Sequence, residues 1–244
     1  MIVYNFFRFW VRLFTIKYKV EGTENLPEEP AIIIGNHAQM NGPIGCMLYY
    51  PRSKRIWCIG EMMHMKEVPA YAFQDFWSEK PKYIRWFFKL SSYAIAPLAV
   101  CIFNCADTIG VYKDKRVVQT FRQSSQAMQN GCDVIIFPED HKERNNIIYE
   151  FQEGFTELAR LYYRESGKEP AFVPMYVAPY LKTIYLGKPI VYDHTANSKE
   201  ERKRICEYLM NEITEMARAL PEHIVKPYEN IPKKLYPKNT DYEK

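Results

Sequence analysis

The stretch Asp133-Val134-Ile135-Ile136-Phe137-Pro138-Glu139-Asp140-His141-Lys142 decides how this chain folds. Four apolar residues in a row suit a strand covered on both faces, and the proline then ends it. A dense run of charged and titratable side chains follows at once. Two other stretches have the same form. Ile32-Ile33-Ile34-Gly35 leads into Asn36-His37, and Phe172-Val173-Pro174-Met175 carries a proline within its apolar run. Strands buried on both faces belong to parallel sheets with helices on each side, whose sites lie beyond the carboxyl ends of the strands.

Outward from these stretches, strand-like runs fall at 31–35, 55–60, 108–112, 133–137, 172–177 and 183–186. Helical periodicity intervenes in three places. Val117, Phe121 and Met128 mark the first, and Phe151, Phe155, Leu158 and Tyr162 the second. Ile205, Leu209, Ile213, Met216 and Leu220 mark the third, where Ser198 followed by Glu201 reads as a capping box. The alternation predicts an α/β fold: a mixed, largely parallel sheet flanked by helices. No internal repeat and no linker composition divides it. The expected organisation is an interfacial helix over 1–19, an α/β domain over 20–220, and a proline-punctuated surface tail over 221–244.

Composition narrows the classes. The chain has 244 residues, 47% hydrophobic and 25% charged, which permits a sizeable core and excludes disordered or collagenous chains. A net charge of +4 is too small to imply a nucleic-acid partner. The six cysteines form no Cys-x-x-Cys pair and show no zinc spacing with histidine. They read as reduced core thiols in a protein on the cytoplasmic side, and no metal site is expected.

Two stretches point to a membrane surface. In residues 1–19, Asn5, Arg8, Arg12, Thr15 and Lys19 form one narrow polar stripe beside a wide aromatic face. That pattern predicts an amphipathic helix in the lipid interface, the alternative being a core helix. Arg8 and Arg12 break the apolar run, and no small-residue cleavage site follows, so it does not read as a signal peptide. The uncharged run 90–106 contains Pro97 and follows Lys82, Arg85 and Lys89. It is short of the about 20 residues that cross a bilayer comfortably, and a buried helix, a membrane-dipping helix or a hairpin all fit.

Taken in order, Asn36-His37, Phe137-Pro138-Glu139, Phe151-Gln152-Glu153-Gly154, Val173-Pro174 and Leu186-Gly187-Lys188-Pro189-Ile190 resemble the glycerophospholipid acyltransferases, the family that acylates lysophosphatidic acid. The resemblance spans about residues 20–192. It implies transfer of a fatty acyl group from acyl-CoA or acyl-carrier protein to a hydroxyl of a lysophospholipid or related polar lipid. The setting it implies is peripheral attachment at the cytoplasmic face, with no cofactor beyond the donor. His37 would be the general base. Asn36, Lys113, Arg116, Glu139, His141, Lys142 and Pro174 would contact substrate, the alternatives being that Glu139 only braces its loop and that Lys113 and Lys142 lie on a solvated rim.

The chain departs from the family pattern at three points. The aspartate that partners the histidine is Gly42 here, with Asn41 one position before it. The residues after Glu139 are Asp140-His141-Lys142 in place of Gly-Thr-Arg, and Lys113 stands for an arginine. Lysine binds phosphate as a point charge without arginine's fork. Asn41 or Asp140 would then have to orient His37. A catalytically degenerate lipid-binding protein on the same fold is the competing reading. A serine hydrolase is disfavoured, because no Gly-x-Ser-x-Gly elbow occurs.

Overall fold

The computed structural model describes residue 9 and residues 12–77, 81–106 and 108–241. In chain order its regular elements are β1 (Lys19–Glu21), β2 (Ile32–Gly35), α1 (Asn41–Tyr49), β3 (Lys54–Ile59), α2 (Val68–Trp77), α3 (Arg85–Cys105) and β4 (Thr108–Val111). Next come α4 (Val117–Gln129), β5 (Asp133–Ile136), β6 (Glu139–Glu143), β7 (Tyr149–Phe151) and α5 (Glu157–Ser166). The last are β8 (Ala171–Ala178), β9 (Thr183–Leu186), β10 (Ile190–Val191) and α6 (Ser198–Ala219). They form two compact units, residues 1–14 with 56–123, and residues 15–55 with 124–244.

In the second unit the strands lie in the order β1-β9-β8-β2-β5, with β10 on β8. β2 runs parallel to both β5 and β8, β1 runs parallel to β9, and only β9 and β10 are antiparallel to β8. The sheet is therefore mixed and largely parallel, as the apolar runs predict. Ile32, Ile33 and Ile34 are fully buried, as are Val134 and Ile135 beside them. Ile34 is level with Ile136 on one side and Pro174 on the other, so the carboxyl ends of three parallel strands share one edge.

A buried carboxylate fixes the opposite edge. Asp133 accepts from the Ala31 N–H at 2.8 Å and from the Tyr50 hydroxyl at 2.7 Å, with the Arg52 guanidinium 3.3 Å away. These bonds tie the start of β2 and the end of α1 to the start of β5. Helix α6 covers β8 with Ile205, Leu209, Ile213 and Ala217.

In the first unit, β3 and β4 pair in parallel, and α2 packs on α3 through Val68, Ala72, Ala96 and Ala99. The run expected at 90–106 is one helix that begins at Arg85 and carries Pro97 inside it. Its opposite side stays exposed, with Trp86 at 68%, Phe87 at 54% and Leu90 at 64%.

Three expectations are corrected. Helix α6 is capped by Asn197, whose side chain accepts from the N–H groups of Lys199 and Glu200, and not by Ser198. Glu201 accepts instead from the Asp193 N–H and pairs with Arg204. The segment after 221, read as a surface tail, is anchored to the domain: His223, Val225 and Asn239 are buried in it, and Asn239 donates to the Ala217 carbonyl at 2.9 Å. Cys58, Cys101, Cys105 and Cys132 are only half-buried, although all six cysteines are free. Of the interfacial helix expected over 1–19, residues 1–8, 10 and 11 lie outside the described residues; Phe9 and residues 12–14 are helical and exposed, and Lys19, expected in the helix, lies in β1.

Candidate active site at the carboxyl ends of β2 and β5

β2 ends at Gly35, and the chain turns at once. Asn36 is buried, and its side-chain amide bonds both the N–H and the C=O of Val177, at 2.7 and 3.1 Å. It extends the β2–β8 ladder by one rung, so its polar atoms are taken up by the scaffold. Pro174 is likewise buried within β8, where its carbonyl accepts from Gly187 at 2.8 Å.

His37 follows, half-buried between two rings. Phe137 lies edge-on at 5.4 Å and Tyr228 edge-on at 5.7 Å, centroid to centroid. This apolar enclosure lowers the imidazole pKa below its usual 6.5, opposed by the hydrogen bond from the ring to the Gln39 carbonyl. That bond sets the tautomer. Nδ1 meets the main-chain oxygen of Gln39, and a carbonyl can only accept, so Nδ1 carries the proton. Nε2 is left with the lone pair.

The turn that delivers this carbonyl is left-handed. Ala38 and Gln39 have φ of 45° and 56°, a region that costs an L-residue roughly 1–2 kcal/mol. Helix α1 opens directly behind the turn, with Gly42 N–H on the His37 carbonyl at 3.0 Å. Asn41 does not reach the imidazole: its side chain donates to the Ala38 carbonyl at 3.0 Å. Gly42 has no room for a carboxylate. A Cβ there would lie 2.6 Å from the His37 oxygen and 2.8 Å from the Phe137 ring.

At the end of β5, Glu139 is buried. Its two oxygens accept from the N–H groups of His37, at 2.5 Å, and Tyr149, at 3.2 Å. Burial pushes its pKa up to about 7 against the pull of these bonds. Glu139 thus joins the His37 turn to the β6–β7 hairpin. Asp140, its neighbour on β6, accepts instead from the N–H of His141 at 2.8 Å, so the carboxylate expected to orient His37 bonds its own neighbour. Alternation along a strand accounts for this, since adjacent side chains point to opposite faces.

His141 is exposed, with Nδ1 3.5 Å from Glu229 and its ring 5.8 Å from that of Tyr228. Lys142 is exposed on β6. Lys113 and Arg116 belong to the other unit. Lys113 is exposed after β4, while the Arg116 guanidinium is held by Asp114 and Glu67, each at 2.9 Å, over the ring of Tyr112. The guanidinium already carries two carboxylate partners. Sequence reasoning missed the Gln39 carbonyl, Tyr228, Glu229 and Tyr236, which lie in a left-handed turn and in a segment read as a tail. Among the described residues, one group has metal-ligand geometry, Glu169 with Asp193 and His194; all three are exposed.

A mixed, largely parallel sheet with a histidine just beyond the carboxyl end of a central strand defines the α/β class of the fold. The acyltransferase family model matches residues 17–179, and the chain belongs to that family. Its fold is similar to the crystal structure of the 1-acyl-sn-glycerophosphate (LPA) acyltransferase PlsC from Thermotoga maritima. The TM-score is 0.51 at 16% identity, over 91% of this chain and 80% of that one. A search of curated proteins finds no match.

Proposed function

We propose that this chain moves a fatty acyl group from an acyl thioester, acyl-CoA or acyl-carrier protein, to a hydroxyl of a lysophospholipid or related polar lipid. The observation that carries the reading is the imidazole of His37: Nδ1–H is bound to a carbonyl, which leaves the lone pair on Nε2. Nε2 takes the proton as the acceptor oxygen attacks the thioester carbon. The tetrahedral intermediate then collapses, the C–S bond breaks, and the imidazolium returns the proton to the departing thiolate. A pKa below 6.5 keeps the imidazole neutral, and so competent, at neutral pH.

The acceptor class comes from the strand-end motifs and the family, and the fold likeness to an LPA acyltransferase supports it. Attachment to the cytoplasmic face of a membrane is part of the proposal. Helix α3 supports it, with an exposed face of Trp86, Phe87, Leu90 and Tyr93 next to Lys82, Arg85 and Lys89. Residues 82–105 are also long and apolar enough to cross a membrane by length and composition. The basic residues at one end and the aromatic side suit a helix lying in the interface of an anionic bilayer.

The competing reading, a lipid-binding protein without catalysis, is favoured by one observation: no carboxylate fits at Gly42. The two separate in one assay. Purified protein, phosphatidylglycerol vesicles and a panel of lysophospholipids are incubated with oleoyl-CoA or oleoyl-carrier protein, and the products are read by mass spectrometry. Acyl transfer to a panel member supports the enzyme. Acceptor binding with no product from any pair supports the binding protein.

A further inference from the structure

We propose that Gln39 is the positioning residue of His37, its main-chain carbonyl taking the place of the carboxylate missing at Gly42, and that residues 228–236 hold it there. The inference rests on the reading of His37 as the base.

Three groups near His37 could have oriented the ring, and each is otherwise engaged. Gly42 cannot carry a side chain in this backbone, Asn41 bonds Ala38, and Asp140 bonds His141. The Gln39 carbonyl is the group on Nδ1. It arrives there only because two consecutive non-glycine residues turn left-handed. Such a conformation persists only where its surroundings over-determine it.

Two sets of bonds do so. On the α1 side, the Ala38 carbonyl accepts from both the main chain and the side chain of Asn41, at 3.2 and 3.0 Å. On the other side, Gln39 Nε2 donates to the Glu229 carbonyl and the Tyr236 hydroxyl, both at 3.1 Å. These partners lie about two hundred positions along the chain, in a segment that is itself built in. Val225 N–H bonds Pro237 at 2.8 Å, His223 N–H bonds Asn239 at 2.8 Å, and the His223 ring bonds the Tyr176 hydroxyl at 2.8 Å. The segment forms a strap whose Tyr228 also walls the imidazole.

A carbonyl can do part of a carboxylate's work. It fixes the tautomer and the ring plane, while its partial charge stabilises the imidazolium less than a full charge would. In serine proteases, where an aspartate holds the ring, amide replacement costs about 10⁴-fold because the tautomer is wrong. Here the tautomer is right without the charge.

The test reads the imidazole directly. In ¹⁵N-histidine-labelled full-length protein, long-range ¹H–¹⁵N correlation spectra report the His37 tautomer, with His37→Ala assigning the peak. Wild type should show Nδ1–H. Gln39→Met keeps the length of the side chain and removes both strap bonds. It should show an Nε2–H population and a further drop in the His37 pKa, because the bond that favours the imidazolium is loosened. The titratable groups around the ring stay the same: Glu139 and His141 on β6, Tyr149 on β7, and Tyr228 and Glu229 on the strap. In the acyl-transfer assay, Gln39→Met should lower kcat about 10-fold with KM within about twofold, the scale of lost orienting partners.

Tyr236→Phe removes one acceptor and should give a smaller shift in the same direction. It carries the test alone if Gln39→Met does not fold. Wild-type protein with Nε2–H, or variants with the wild-type tautomer and pKa, would overturn the proposal. A locked Nδ1–H tautomer in a protein that transfers no acyl group would leave the positioning intact and remove the acyl-transfer reading instead.

Discussion

The ends of β2 and β5 lie side by side, both follow buried apolar runs, and both carry residues of the same family pattern, yet they are built in opposite ways. At the end of β2 the imidazole of His37, the proposed base, is held by a main-chain carbonyl. At the end of β5 the side chain of Glu139 is itself the fastener, with both oxygens bound to main-chain N–H groups. Residues that recur together in a motif therefore differ in how their side chains are engaged: one is held by the main chain, and the other holds it. Only the hydrogen-bond inventory separates them.

The largest expected effect breaks the fastener. Glu139→Ala leaves the half-buried N–H of His37 and the buried N–H of Tyr149 without their acceptor, at about 1–3 kcal/mol for a buried donor. Thermal unfolding should show a marked loss of Tm together with loss of activity. An unchanged Tm would mean that the carboxylate is not a brace, and would restore a substrate role for it.

The next asks whether the family's aspartate can be put back. Gly42→Asp places a Cβ 2.6 Å from the His37 oxygen, and overpacking of this kind costs about 1–3 kcal/mol. The variant should lose stability and gain no rate. A rate increase would show that the turn can reopen to accept a carboxylate on the ring.

The third concerns pH. The fold raises the Glu139 pKa from 4.5 to about 7, so within that range the folded protein holds a proton that the unfolded chain releases. Its contribution to stability is complete below pH 4.5 and is lost as pH rises through about 7. His37 is shifted the other way: its contribution is present above pH 6.5 and is lost as pH falls through its lowered pKa. Denaturant titrations across this range should show a falling component that Glu139→Gln abolishes. A wild-type profile in the variant would contradict the burial-driven shift.

The smallest effect is expected at Asp140. Because it bonds His141 and not the imidazole, Asp140→Asn should change the rate by less than about twofold, as surface substitutions away from a site do. A loss comparable to that from removing His37 would return Asp140 to the ring.

How much of this was legible follows from what a sequence records. β2, β5 and β8 were readable because strands buried on both faces write themselves as continuous apolar runs. The β6–β7 hairpin was not, since Glu139–Glu143 is charged throughout and shows no alternation. Helix α1 was missed because it opens Asn-Gly-Pro, residues of low helix propensity that the preceding turn, not the pattern, places there. His37 and the empty position at Gly42 were visible as letters. The group that replaces the aspartate was not, because a main-chain carbonyl has no letter and Ala38-Gln39 carries no glycine to signal a left-handed turn. The strap was hidden by distance, since nothing local ties Tyr236 to Gln39.

His37 as a base and His37 as a strut are separated by the single-turnover rate of acyl transfer in wild type and His37→Ala, measured beside their unfolding midpoints. The expected result is a loss of about 10²–10⁴-fold in rate, the usual contribution of a positioned base, at a similar midpoint. Equal rates in the two proteins, or a rate lost only in step with stability, would contradict the base.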